Sequence, residues 1–158
     1  MTGFNSRNVT VKKTGGMSFH SFVRLNHKIF VMNVIYTALF VNSKNDLIKL
    51  FPPIHCNTFY HHATIGFKPK NLNGIEVGKK VCIAAIGRLT TGLVDVLVIE
   101  LPKSTNKVPH ITLSTAQGIK PATSGSELIN KTEAIEYFDN PILIECTEGF
   151  FNGRDITN

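Results

Sequence analysis

An α+β fold is what this sequence of 158 residues predicts, and three observations carry the expectation. About six segments hold the β-branched and aromatic residues typical of strands. Two short segments open on a capping residue with an acidic residue three positions on, as helices do, and the first continues with an apolar side. The two kinds of segment do not alternate regularly, as the units of a wound parallel sheet would. The length is that of one domain, and 42% hydrophobic with 18% charged residues is enough apolar material for a core.

Residues 1–28 are polar, Gly-containing and weakly patterned, and read as an N-terminal extension ahead of a domain over 29–158. VMNVIYTALFV (31–41) is the first buried strand. In NSKNDLIKLF, Ser43 caps a short helix, with Asp46 three residues on as in a capping box, and Pro52-Pro53 forbids its continuation. FYHHATIGF (59–67) reads as a second strand and NLNG (71–74) as a turn. KVCIAAIGRL and LVDVLVIEL flank TTG (90–92), the pattern of a tight hairpin. PHITLSTA is a further strand and QGIKPATSG a loop. Ser124 followed three residues later by Glu127 starts a second helix, and PILIECT supplies the last strand.

A net charge of +6 and a pI near 9.3 favour anionic partners, nucleotides or nucleic acid first among them. The apolar run 29–41 is too short to cross a bilayer and contains Asn33. The basic stretch upstream has no small-residue cleavage site after an apolar region, so neither membrane insertion nor secretion is expected. Cys56, Cys82 and Cys146 show no paired spacing, which favours a reducing, cytoplasmic setting. Cys82 and Cys146 sit among apolar residues and read as buried, inert thiols. G-x-x-x-x-G-K-S/T is absent, which removes the P-loop class.

The chemistry concentrates in HHATIGFKP (61–69) and HITLSTAQGIKP (110–121). Each holds His, any residue, Thr and an aliphatic residue on a predicted strand, then reaches Lys-Pro. Residues two apart on a strand share a face, so His62 projects with Thr64 and His110 with Thr112. Ala63, Ile65, Ile111 and Leu113 then enter the core. Two imidazoles of near-neutral pKa suit a base and an acid on opposite sides of a phosphorus. Threonine hydroxyls, with Lys68 or Lys120, suit its non-bridging oxygens, and that scheme requires no metal or other cofactor. A zinc reading of His55, Cys56, His61 and His62 is weaker. Zinc needs converging ligand pairs, and His61 and His62 should point to opposite faces of a strand.

The paired motifs His62-Ala63-Thr64-Ile65 and His110-Ile111-Thr112-Leu113 resemble those of the 2H phosphoesterases, over roughly residues 32–147. PHITLSTAQGIKPATSGSEL is most similar to the cyclic-phosphodiesterase domain of plant and fungal tRNA ligases and to phage nucleases that destroy CBASS cyclic-nucleotide signals. The resemblance implies a bilobed α+β domain, with two antiparallel sheets flanking a central cleft and short outer helices. It implies metal-independent cleavage of ribonucleotide phosphodiesters, with His62 and His110 as acid and base and Thr64 and Thr112 as phosphate ligands. The expected substrate is a cyclic oligonucleotide messenger, degraded for viral immune evasion in a host cytoplasm. The alternatives are a 2′,3′-cyclic phosphate on RNA or a mononucleotide, or a nucleotide- or RNA-binding module without turnover. Trp is absent, so base stacking falls to Tyr36, Tyr60 or a Phe, and Tyr36 joins Lys68 and Lys120 as an expected substrate contact. No obligate protein partner is expected.

Overall fold

The computed structural model describes residues 33–158, so the expected extension over 1–28 and the start of the first predicted strand lie outside the described residues. Eight antiparallel strands form one sheet: β1 (Tyr36–Val41), β2 (Asn57–Thr58), β3 (His62–Phe67), β4 (Lys80–Thr90), β5 (Val94–Ile99), β6 (His110–Thr115), β7 (Glu136–Phe151) and β8 (Ile156–Thr157). The order β1-β3-β6-β5-β4-β7 returns to β1 through a β1–β7 ladder, which closes six strands into a barrel. Strand β2 pairs with β6 and β8 with β7, outside the closed ring.

That closure corrects the expected architecture. Among the described residues the protein is mostly β, with two short α-helices, α1 (Lys44–Leu50) and α2 (Thr123–Asn130), and a 3₁₀ turn (Thr132–Ala134), and its strands make one closed sheet rather than two lobes flanking a cleft. The physical cause is β7. At 16 residues it is long enough to pair with β4 through Tyr137↔Gly87 and Ile144↔Ile83, and with β1 through Cys146↔Val41 to Phe151↔Tyr36. Only its middle, PILIECT, reads as a strand in the sequence. Pro141, which donates no ladder bond, falls where the β4–β7 register jumps between Ala85 and Gly87. Gly87 has no side chain for good reason, since a Cβ there would lie 3.0 Å from the Glu136 carbonyl oxygen.

The local expectations fared better. Ser43 accepts from the Asp46 N–H at 3.3 Å and caps α1. The β4–β5 hairpin turns at Thr91, whose Oγ1 accepts from the Leu93 and Val94 N–H groups. Inside the barrel, Leu39, Ala63, Ile65, Leu97, Ile111 and Leu113 form the main core. A second cluster lies outside it, where α2 lays Leu128 on Val94, Val96 and Val98 of β5. This outer cluster brings the start of α2 beside β6. Among the described residues no helix is long and apolar enough to cross a membrane.

Candidate active site

Strand β3 lies between β1 and β6, so both motif strands are neighbours in one ladder. Ala63 pairs with Ile111, and both are fully buried in the barrel. Alternation turns His62, Thr64, His110 and Thr112 to the outer face, where all four are partly exposed. Carrying the Ala63↔Ile111 register one residue each way sets His62 beside Thr112 and Thr64 beside His110. The motifs therefore interleave as a square, with each imidazole next to the other motif's hydroxyl. Diagonal neighbours on an antiparallel pair stand about 7–8 Å apart. One phosphate taking a hydrogen bond of about 2.8 Å on each side can bridge that gap.

The square has two walls. On the β1 side, Tyr36 stacks on the His62 ring at 4.6 Å and 13°, and Phe40 and Phe151 pack against Tyr36 at 6.3 and 5.2 Å. On the β5 side, Val96 and Val98 stand opposite Thr112 and His110 and carry α2 above them. The first turn of α2 reaches the site. The buried Ser124 hydroxyl is 2.9 Å from the Thr112 hydroxyl, and a Cβ on Gly125 would lie 4.0 Å from His110 Cε1.

Each histidine has a second partner on its Nδ1. The His110 Nδ1 is 2.8 Å from the Val108 carbonyl oxygen, which can only accept, so Nδ1 carries the proton and Nε2 the lone pair. The His62 Nδ1 is 2.8 Å from the Nδ1 of His61. Burial pushes the His62 imidazole down to about 4, helped by its neighbours His61 and His110. Burial also lowers His110, against the opposing pull of the Val108 carbonyl, and lowers His61, helped by the Lys44 ammonium. In the free protein all three are neutral at pH 7.

Of the expected site residues, the structure brings together His62, Thr64, His110, Thr112 and Tyr36. Lys68 follows β3 in a left-handed conformation (φ 45°), with its ammonium 5.6 Å from the Phe67 ring centre, and Lys120 is exposed on the loop before α2. Tyr36 gives one ring face to His62 and so acts on the histidine as much as on any ligand.

Three readings are corrected. His61 and His62 do not point apart: their rings meet, because Tyr60 takes a left-handed φ of 53° and β3 begins only at His62. Ser124 does not cap α2, which begins one residue earlier after an Ala122 that makes no side-chain cap bond; its hydroxyl turns to Thr112 instead. Cys82 is exposed, whereas Cys146 is buried with its thiol pushed up to about 12 by burial. Among the described residues no group of three or more His, Cys, Asp or Glu side chains could hold a metal, and His55 turns its Nε2 to the Thr91 carbonyl at 2.9 Å. Val108, Phe40 and the inward Ser124 are site residues that sequence reasoning missed, whereas His61 is read from the sequence as a supporting or surface residue beside His62. No model of a known protein family and no curated protein matches the chain.

Proposed function

We propose that this chain is a metal-independent phosphodiesterase that cleaves ribonucleotide phosphodiester bonds, with cyclic oligonucleotide messengers as its substrate. The observation that supports the reading most is the interleaved square of His62, Thr112, Thr64 and His110 on one outer face of the barrel. One imidazole removes the proton of the attacking oxygen, either water or a neighbouring ribose 2′-hydroxyl, as that oxygen bonds to phosphorus. The bond from phosphorus to the leaving oxygen breaks, and the other imidazole protonates that oxygen. Thr64 and Thr112 donate to the non-bridging oxygens, whose charge grows in the transition state. The net charge of +6 draws a polyanion to the surface. The stretch HITLSTAQGIKP resembles both the phage nucleases, which supports a cyclic messenger, and tRNA-ligase domains, which supports a 2′,3′-cyclic phosphate that the same four side chains could also take.

The test is incubation in chelator with a panel of cyclic dinucleotides, cyclic trinucleotides and 2′,3′-cyclic mononucleotides, with products resolved by chromatography. The wild-type protein should linearise a cyclic oligonucleotide, and His62→Ala or His110→Ala should each lower the rate by about 10²–10⁴-fold. Opening of the cyclic mononucleotides alone selects the RNA-end chemistry. Binding without product from any substrate replaces the enzyme with a nucleotide-binding module.

A further inference from the structure

We infer that His61 is a positioning residue for His62, fixing its tautomer and passing it a proton from solvent. The inference rests on the proposed phosphodiesterase site. Its geometric basis is the 2.8 Å approach of the two Nδ1 atoms, which a neutral pair can make only by sharing one hydrogen. One ring must therefore be the Nδ1–H tautomer and the other the Nε2–H tautomer.

Three observations assign the shared hydrogen to His61. The His61 ring is exposed, so as the Nδ1–H tautomer its Nε2 lone pair can accept from water at no cost. The His62 ring packs against Tyr36 and Phe40 of β1, and with its Nδ1 taken by His61 it has only Nε2 left for the site. Across the square, His110 already presents a lone pair at Nε2, because Val108 holds its Nδ1–H. An N–H on His62 Nε2 complements that lone pair, whereas a second lone pair would repel it. His62 therefore faces the phosphate as donor and His110 as acceptor, which makes His110 the base and His62 the acid.

A neutral imidazole is a poor acid, and here the pair does more than orient. When a phosphate anion enters, it favours an imidazolium at His62. Solvent protonates His61 at Nε2, the His61 Nδ1 hydrogen crosses to His62 Nδ1, and His62 becomes the cation with both nitrogens protonated. Its Nε2–H then goes to the leaving oxygen, and His62 is left neutral with its hydrogen on Nδ1. The protons balance over a cycle: one enters from solvent at His61 Nε2 and one leaves with the product, while the proton His110 took from the nucleophile returns to solvent. The pair then resets as water protonates His62 Nε2, the shared hydrogen returns to His61 Nδ1 and His61 Nε2 releases its proton to solvent. The groups facing the pair are Lys44 from α1, Tyr36 and Phe40 from β1, and His110 from β6. The Lys44 ammonium opposes a resident charge on His61, so the pair is charged only while an anion is bound.

Long-range ¹⁵N–¹H correlation spectra of the histidine rings test the assignment without reference to activity. In the wild-type protein near pH 7.5, His62 should be the Nε2–H tautomer, and His61 and His110 Nδ1–H. His61→Ala should leave His62 as a tautomer mixture, and His61→Asn, whose amide can still donate to Nδ1, should restore Nε2–H. In turnover, His61→Ala should lower kcat by roughly 10- to 100-fold with KM changed less than about twofold. Added imidazole should recover part of that rate in His61→Ala. A wild-type His62 that is Nδ1–H, or a His62 tautomer indifferent to His61→Ala, overturns the inference. If the tautomers are as expected but no substrate is cleaved, the pairing stands and the proposed function falls.

Discussion

His62 is a histidine kept neutral by its surroundings, and that state is visible in the stability of the whole chain. An unfolded histidine titrates near 6.5, whereas folded His62 is held at about 4. Between those values the unfolded chain binds a proton that the native state refuses, so stability rises with pH across the window. The contribution is complete above pH 6.5 and is lost as pH falls toward 4. Because the ring is partly exposed, the loss between pH 7.5 and 5 should be about 1–2 kcal/mol. His61 and His110 are lowered too and act in the same direction. Urea unfolding at the two pH values should show the drop, with His62→Asn removing much of it, and a flat wild-type profile would contradict the assigned environment. The motif residues were legible in the sequence because strand alternation is a local rule that needs only the spacing of His and Thr. The His61–His62 contact was not, since it depends on one left-handed residue, Tyr60, that no local pattern announces.

At the scale of elements, the site is made where α2 meets β6. That helix is amphipathic, and once Leu128 lies on the β5 valines its first turn has no other place to go than over His110 and Thr112. Gly125 keeps the approach to His110 open. Gly125→Ala adds a Cβ at ordinary contact distance, 4.0 Å, and should be tolerated, gaining up to about 1 kcal/mol from helix propensity. Gly125→Leu should instead fill the space over the imidazole and lower kcat/KM by roughly tenfold or more at unchanged thermal stability. Equal activity in the two variants would place the ligand elsewhere. The existence of α2 could be read from Ser124 and Glu127 as a capping pair, but not the inward turn of Ser124. A serine ahead of Glu looks the same whether it caps its own helix or bonds another strand.

For the whole molecule, the direct β3–β6 pairing puts both motif strands in one ladder, and β7 closes that ladder into a barrel through β1. Separate sheets are what the resemblance implies; from the residues alone β7 reads as the shorter strand PILIECT, beginning at Pro141. Long-range pairing of β7 with both β4 and β1 leaves no trace in any single window of residues. A partly buried ion pair secures the β4–β5 hairpin within that barrel. Arg88 donates from Nε and Nη2 to both carboxylate oxygens of the fully buried Asp95 at 2.8 Å, and its guanidinium lies 5.3 Å from the Phe51 ring centre. Arg88→Met would leave that carboxylate with only the Thr90 hydroxyl and should cost about 3 kcal/mol of unfolding free energy in denaturant titration. A loss below about 1 kcal/mol would mean that the hairpin is held by its apolar contacts alone.

The central claim is that one anion is held between two imidazoles from distant parts of the chain. Titration of the wild-type protein with inorganic phosphate, followed through the ring signals of His62 and His110, tests it most directly. Both signals should shift along one binding curve with a single dissociation constant, and both pKa values should rise, since the bound anion favours the imidazolium forms. Phosphate that moves only one ring, or moves the two with different constants, would contradict the shared site.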